Sequence, residues 1–168
     1  MVLFSELIIR GGVGVDNIDV AYAESKGITV RNTPCASSAS VAELALAHMF
    51  ALARFVGISN VTMRQGQWNK KNYSGTEIGG KTLGLIGMGR ISRSLAAKAS
   101  ALGMKIIYTD IMGAIADEYT FCATKEEVLA QADFVSLHIP AAADGKAVIG
   151  AAELALMKES AYLINIAR

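Results

Sequence analysis

The chain has 168 residues, 52% of them hydrophobic, with a formal net charge of +1. That length fits one domain, and the near-neutral balance removes the electrostatic case for a nucleic-acid partner or an anionic membrane. The two cysteines, Cys35 and Cys122, stand too far apart in sequence to suggest a disulfide framework or a metal site, so a reducing cytoplasm is the expected setting.

The first nine residues carry Glu6 and no basic n-region, which argues against a signal peptide. Leu7 to Ile9 is a short apolar run ending in Arg10, and Gly11-Gly12-Val13-Gly14 follows. Small residues after a strand expose backbone at a turn, which serves either as an anion nest or as a plain connection to a helix. Asp16 suits an N-cap, Asp19 the first turn and Gly27 the stop, so a helix is expected to about Lys26. Ile28 to Arg31 is the next strand, completing a first parallel unit.

Asn32-Thr33-Pro34 and the Ser-rich run from Ala36 to Ser40 break the pattern, and a domain boundary is expected there, dividing 1–31 from 32–168. A long helix then runs from Ser38 or Ser40 to about Gly57, with Val41, Leu44, Ala45, Ala47 or His48, Leu52 and Phe55 at helical spacing. Glu43, His48 and Arg54 interrupt its apolar stretch, which argues for a buried helix against a membrane span. His48 reads as a packed helix residue, having no partner acid nearby. Val61 to Asn72 turns polar and reads as a helix end followed by an irregular arm. Trp68 on that arm either anchors a subunit contact or folds over its own domain. Lys70-Lys71 reads as a solvated loop.

Lys81 to Asp110 is the stretch around which the chain is organised. An apolar run, Leu83 to Ile86, ends in Gly87-Met88-Gly89; a helical pattern follows from Arg90 to Leu102; Gly103 stops it; Lys105 to Thr109 is a second apolar run, ending in Asp110. Strand, glycine turn, helix, strand and acid make the dinucleotide-binding βαβ unit. Gly87 permits the tight turn, and Gly89 lets backbone approach a pyrophosphate. The helix N-terminus offers N–H groups and a positive dipole end to that anion. Asp110 is placed to accept the ribose hydroxyls of NAD and to repel the extra phosphate of NADP. Ser92 stands where the fingerprint has its third glycine, with slight displacement of the helix as the expected effect.

After Asp110 the chain reads as irregular to about Phe121. Thr124-Lys125-Glu126-Glu127 is a capping box opening a helix to about Gln131. Asp133 to His138 is a strand that Pro140 closes. Ala151 to Met157 is a short helix and Ala161 to Ile166 a last strand, ending in Ala167-Arg168. The expected architecture is an α/β, doubly wound parallel sheet.

These motifs, taken in order, resemble the D-isomer-specific 2-hydroxyacid dehydrogenase family. The residues that carry the likeness are R-G-G-V-G-V-D-N-I-D from Arg10, G-I-T-V-R-N-T-P from Gly27, S-V-A-E-L-A from Ser40 and G-x-W-x-K-K-x-Y-x-G-x-E from Gly66. They continue with G-K-T-L-G-L-I-G-M-G-R-I from Gly80, L-H-I-P from Leu137 and L-I-N-I-A-R from Leu163. The resemblance implies a Rossmann-like NAD-binding domain preceded by a remnant of a substrate domain, a small-molecule 2-hydroxy or 2-oxo acid substrate, above all 3-phosphoglycerate, and a homodimer formed through the nucleotide-binding domain. It implies that Gly12, Val13 and Gly14 face the substrate carboxylate, with Val13 also near the nicotinamide. Arg90 and Ile91 would cover the pyrophosphate held by Gly87, Met88 and Gly89, and Asp110 would take the adenosine ribose. Ile139 and Pro140 would lie along the cofactor, Ile166 and Ala167 beside the nicotinamide, and Arg168 would grip the substrate.

The departures are Ser92, the run Ala141-Ala142-Ala143 where a threonine is usual, and the family's acid/base histidine and its glutamate, which lie past the last motif. His138 belongs to the cofactor loop and does not fill that role. The expectation is a central piece of a longer enzyme that does not turn over by itself. Two other readings stay open: a non-catalytic NAD-responsive interaction module, and a transferase using another adenosine ligand such as S-adenosylmethionine.

Overall fold

The computed structural model describes residues 6–142 and 145–167. The chain forms two compact units, Met1–Ser40 and Val41–Arg168.

The first unit is β1 (Leu7–Arg10), α1 (Val20–Ser25) and β2 (Thr29–Asn32). The two strands pair in parallel, Leu7 opposite Thr29 and Arg10 opposite Asn32. The cap of α1 is Asp19 and not Asp16: the Asp19 carboxylate accepts from the Tyr22 N–H at 2.9 Å. The helix therefore starts one turn later than the first suitable acid.

Two helices, α2 (Ser38–Ala53), which begins at the end of the first unit, and α3 (Val56–Arg64) in the second, replace the single expected helix. They bend by 61° where Phe55 adopts a left-handed backbone, φ 55°. Among the described residues no single helix is long and apolar enough to cross a membrane. The buried stripe of α2 is Ala42, Ala45, Met49 and Ala53. Leu44 and Leu52, expected on the packed face, are about half exposed. Apart from Met49 the buried residues are alanines, which let the helix axis approach its neighbours closely, and Leu44 and Leu52 are left outside.

A five-stranded sheet follows, all parallel, in the order β5-β4-β3-β6-β7. Its strands are β3 (Thr82–Ile86), β4 (Lys105–Thr109), β5 (Thr120–Phe121), β6 (Phe134–Leu137) and β7 (Tyr162–Asn165). The strand β5 falls in the stretch expected to be irregular: its two residues show no periodicity and exist as strand only through pairing with Ile107 and Tyr108. The helices are α4 (Arg90–Ala101), α5 (Lys125–Gln131) and α6 (Ala151–Leu154). One sheet face buries Leu83, Leu85, Tyr108 and Phe134 with α2 and α4, and the other buries Ile86, Ile107, Val135 and Leu137 with α5. Alternation along each strand divides the residues between these two cores.

Gly84 decides how close α5 comes. A Cβ there would stand 2.6 Å from Val128 Cγ1 and 2.8 Å from Ala132 Cβ. At the opposite sheet end Asp133 accepts from the Thr82 N–H at 2.8 Å and from Lys158 Nζ at 2.9 Å, tying β3, β6 and the entry to β7. The chain fills the sheet outward from β3 to β5, then returns to β6 on the other side. The switch point therefore lies between β3 and β6, and ligand crevices open at the carboxyl ends of such strands.

Candidate cofactor site

At the end of β3, Gly87 turns the chain with φ +91°, a conformation that side chains rarely adopt. A Cβ on Gly87 would lie 2.8 Å from Ile139 Cγ2 and 3.0 Å from the His138 carbonyl oxygen, so the missing side chain lets the loop after β6 close against this turn. Gly89 caps α4 without any side-chain hydrogen bond, and nothing lies within 4 Å of where its Cβ would stand. The first N–H groups of α4 therefore receive no side-chain partner from the cap. Ser92 in the first turn is fully buried and packs with the core, its hydroxyl unpartnered.

Asp110, at the end of β4, is engaged on both oxygens. Its Oδ2 accepts from the Met88 N–H at 2.7 Å and its Oδ1 from the Met112 N–H at 2.9 Å. Met88 itself is 1% exposed, so its side chain belongs to the core while its N–H orients the carboxylate. Arg90 is exposed and Ile91 half-buried.

Gly87, Gly89 and Asp110 border one cavity of about 660 Å³, whose lining does not include Met88, Arg90 or Ile91. Its lining includes Gly87, Gly89, Asp110, Ile139, Pro140 and Thr124. Val148, Lys125, Ala141 and Ala142 line it too. Ala143 and Arg168 lie outside the described residues. A smaller cavity of about 250 Å³ shares the wall from Ile139 to Ala142 and brings in Leu163, Asn165 and Ala167. The Ala167 N–H donates to Asn165 Oδ1 at 3.0 Å, and Ile166 packs against the core.

The start of α5 was not among the expected site residues, yet Ala123, Thr124 and Lys125 form one wall of the larger cavity. The signal for it was present: a capping box that opens a helix after a parallel strand stands at the carboxyl edge. The Thr124 hydroxyl accepts from the Glu127 N–H at 3.2 Å, and the Glu127 carboxylate accepts in turn from the Ala123 N–H at 3.0 Å. Lys125 Nζ reaches Glu153 at 2.7 Å and the Val148 carbonyl at 3.0 Å. The Lys125 ammonium, with the Gly150 N–H, holds the Glu153 carboxyl down at about 2. His138 has both ring nitrogens buried without partners, and burial pushes it down to about 4. Its imidazole is therefore neutral at pH 7. His48 lies exposed on α2.

Gly12, Val13 and Gly14 belong to the first unit. The Gly12 N–H donates to Thr33 Oγ1 at 2.8 Å, and Asn32 Nδ2 donates to the Val13 carbonyl at 2.7 Å. The Asn32-Thr33 pair thus pins the glycine loop from the following strand. Among the described residues no group of three or more metal-ligating side chains occurs.

The residues present fit a dinucleotide: an open approach over Gly89, an uncapped helix start and a carboxylate oriented by two N–H groups. Comparison with known proteins agrees. Residues 46–168 match the family described as D-isomer specific 2-hydroxyacid dehydrogenase, NAD binding domain. The chain is 42% identical over 163 residues to a hydroxypyruvate reductase of Thermotoga maritima, covering 97% of this chain and 53% of that protein. It is 42% identical over 167 residues to a D-3-phosphoglycerate dehydrogenase of Methanocaldococcus jannaschii, covering 97% and 32%. Among solved structures it is similar to the TT0316 protein of Thermus thermophilus, with a TM-score of 0.86 and 37% identity over 94% of this chain and 51% of that one. The chain thus spans about half the length of the first relative and about a third of the second. The parallel sheet, the glycine turn with its acid, and this likeness in sequence and fold converge: the chain belongs to the D-isomer-specific 2-hydroxyacid dehydrogenase family and carries that family's NAD-binding domain.

Proposed function

We propose that the chain is the cofactor-binding part of an oxidoreductase that moves a hydride between NAD and C2 of a D-2-hydroxy acid. 3-Phosphoglycerate is the substrate to try first, which would place the enzyme in serine biosynthesis. The observation that carries the reading is the single cavity bordered by Gly87, Gly89 and Asp110.

The residues divide the work as follows. The start of α4, at Arg90 and Ile91, offers N–H groups and dipole to the pyrophosphate. A carboxylate has about four acceptor sites, so Asp110 keeps two for ribose hydroxyls after serving Met88 and Met112. NADP would bring a phosphate against that carboxylate, with Ile111 and Met112 following it and the Lys125 ammonium engaged by Glu153. Ile139 and Pro140 exclude water along the cofactor, and Ile166 and Ala167 flank the nicotinamide. Residues 1–31 belong to the substrate domain, where the Gly12 to Gly14 backbone holds the acid's carboxylate; residues 32–168 are the nucleotide domain. Arg168 grips the carboxylate and polarises the 2-oxo group. When bound, NAD supplies the nicotinamide carbon that takes or returns the hydride.

Neither histidine suits the proton transfer. His48 is exposed on α2, and His138 is held neutral well below the range useful for acid/base work at pH 7. These 168 residues are therefore expected to bind NADH without turning over. Cys35 and Cys122 are both free thiols, which suits a reducing cytoplasm. The chain pairs with a second copy through its nucleotide domain: Leu44, Leu52, Val56, Ile58, Met63 and Trp68 are exposed apolar residues on and just after α2 and α3. The same face supports the second reading, an NAD-binding dimeric interaction module without catalysis.

Calorimetric titration with NADH and then NADPH tests the proposal. Binding of NADH with NADPH much weaker supports it, and binding of neither overturns it. NADH formation above blank from 3-phosphoglycerate would refute the expected lack of turnover.

A further inference from the structure

The segment after Asp110 makes a tight excursion that two side chains tie down. The Asp110 carbonyl accepts from the Gly113 N–H at 3.0 Å, and Gly113 has φ +80°. Ile111 and Met112, at the rim of the larger cavity, are 101% and 74% exposed. They have almost no packing to hold them. The restraint comes from further along. Tyr108 is fully buried on β4, two residues before the acid. Its hydroxyl accepts from the Ile115 N–H at 2.8 Å and the Ala116 N–H at 2.9 Å, and it lies 3.4 Å from the Ala116 carbonyl. From the other side Arg93, exposed on α4, donates to the Ile115 carbonyl.

Resting on the NAD reading above, we infer that Tyr108, assisted by Arg93, is a positioning residue for the adenosine end of the cofactor: it clamps the segment 110–116 so that Asp110 and its rim present one fixed geometry. The reason is chain length. With β4 ending at Thr109 and the segment pinned again at Ile115 and Ala116, only five residues lie between the two anchors. So short a closed segment keeps the Met112 N–H on Asp110 Oδ1. Without the phenol hydroxyl two buried or half-buried N–H groups lose their acceptor, which favours opening of the segment. The carboxylate then loses one of its two orienting donors, and the ribose hydroxyls meet a mobile acceptor.

The test uses Tyr108→Phe, with NADH, NADPH and ADP-ribose titrated against wild type and variant. The expected result is a loss of about tenfold in affinity for both NADH and ADP-ribose, the scale of one tightly held hydrogen bond. The preference for NADH over NADPH should shrink in parallel, because a loosened carboxylate discriminates less. A role confined to stability would lower the melting temperature and leave that preference intact, and this result overturns the inference. Unchanged ADP-ribose affinity in Y108F, with wild type binding normally, overturns it as well and leaves the cofactor reading standing. Failure of the wild type to bind any of the three ligands overturns both. Should Y108F not fold, Arg93→Ala carries the test from the protein surface. A loss of about threefold for ADP-ribose is expected, and equality with wild type refutes the clamp.

Discussion

Gly87 works at the point where β3 must become α4 and where the loop after β6 must close. Gly87→Ala meets strain on both counts, from φ +91° and from a Cβ 2.8 Å from Ile139. It should cost about 2–4 kcal/mol in urea unfolding. Ser92 behaves in the opposite way. Its hydroxyl is buried without a partner, so Ser92→Ala should leave stability unchanged or raise it by about 1 kcal/mol, with NADH affinity intact. That result would rule out the serine as a defect in the turn. His138 has a folded value of about 4 against an ordinary 6.5, so between those pH values the unfolded chain binds more protons than the folded one. Stability therefore rises with pH across this window and falls as the solution is acidified through it, by up to about 3 kcal/mol. Comparing denaturant midpoints at pH 7 and pH 4.5 checks this, and the difference should largely vanish in His138→Gln. The glycine turn and the acid were legible as residues. The unpartnered imidazole was not, because burial at that position arises only when β6 is covered.

At the scale of elements, the βαβ unit from Thr82 to Thr109 could be read almost to the residue, since period, glycine stops and terminal acid agree. The long helix could not. Nothing in its pattern marks the left-handed break at Phe55, and small and large apolar residues look alike to a periodicity argument. Gly84 gives the same lesson in a strand: it reads as one more residue of an apolar run, yet it sets the distance between α5 and β3. Gly84→Ala should cost about 2–3 kcal/mol, because Val128 and Ala132 stand inside the space of the new methyl. Thermal unfolding measures the loss, and α5 displaced from the sheet in a crystal structure of the variant would show where the strain went.

At the scale of the whole molecule, α2, α3 and the Trp68 arm present exposed apolar side chains. If that face closes a homodimer, Leu44→Glu should convert the protein to a monomer in sedimentation equilibrium while NADH still binds. A wild-type chain that is monomeric at tens of micromolar would sink the proposed pairing. Trp68 is 76% exposed, so Trp68→Ala should weaken the pair with little effect on folding of the single chain.

The sequence alone determined the parallel α/β class, the glycine turn, Asp110 and the family, because those depend on local spacing and on motifs whose order survives any detail of packing. The true cap of α1, the bend after α2, the strand β5, the wall supplied by α5 and the clamp on the Asp110 segment were decided by the tertiary structure. Each of these depends on which backbone groups and which methyls come together from distant parts of the chain, and no local pattern encodes those distances.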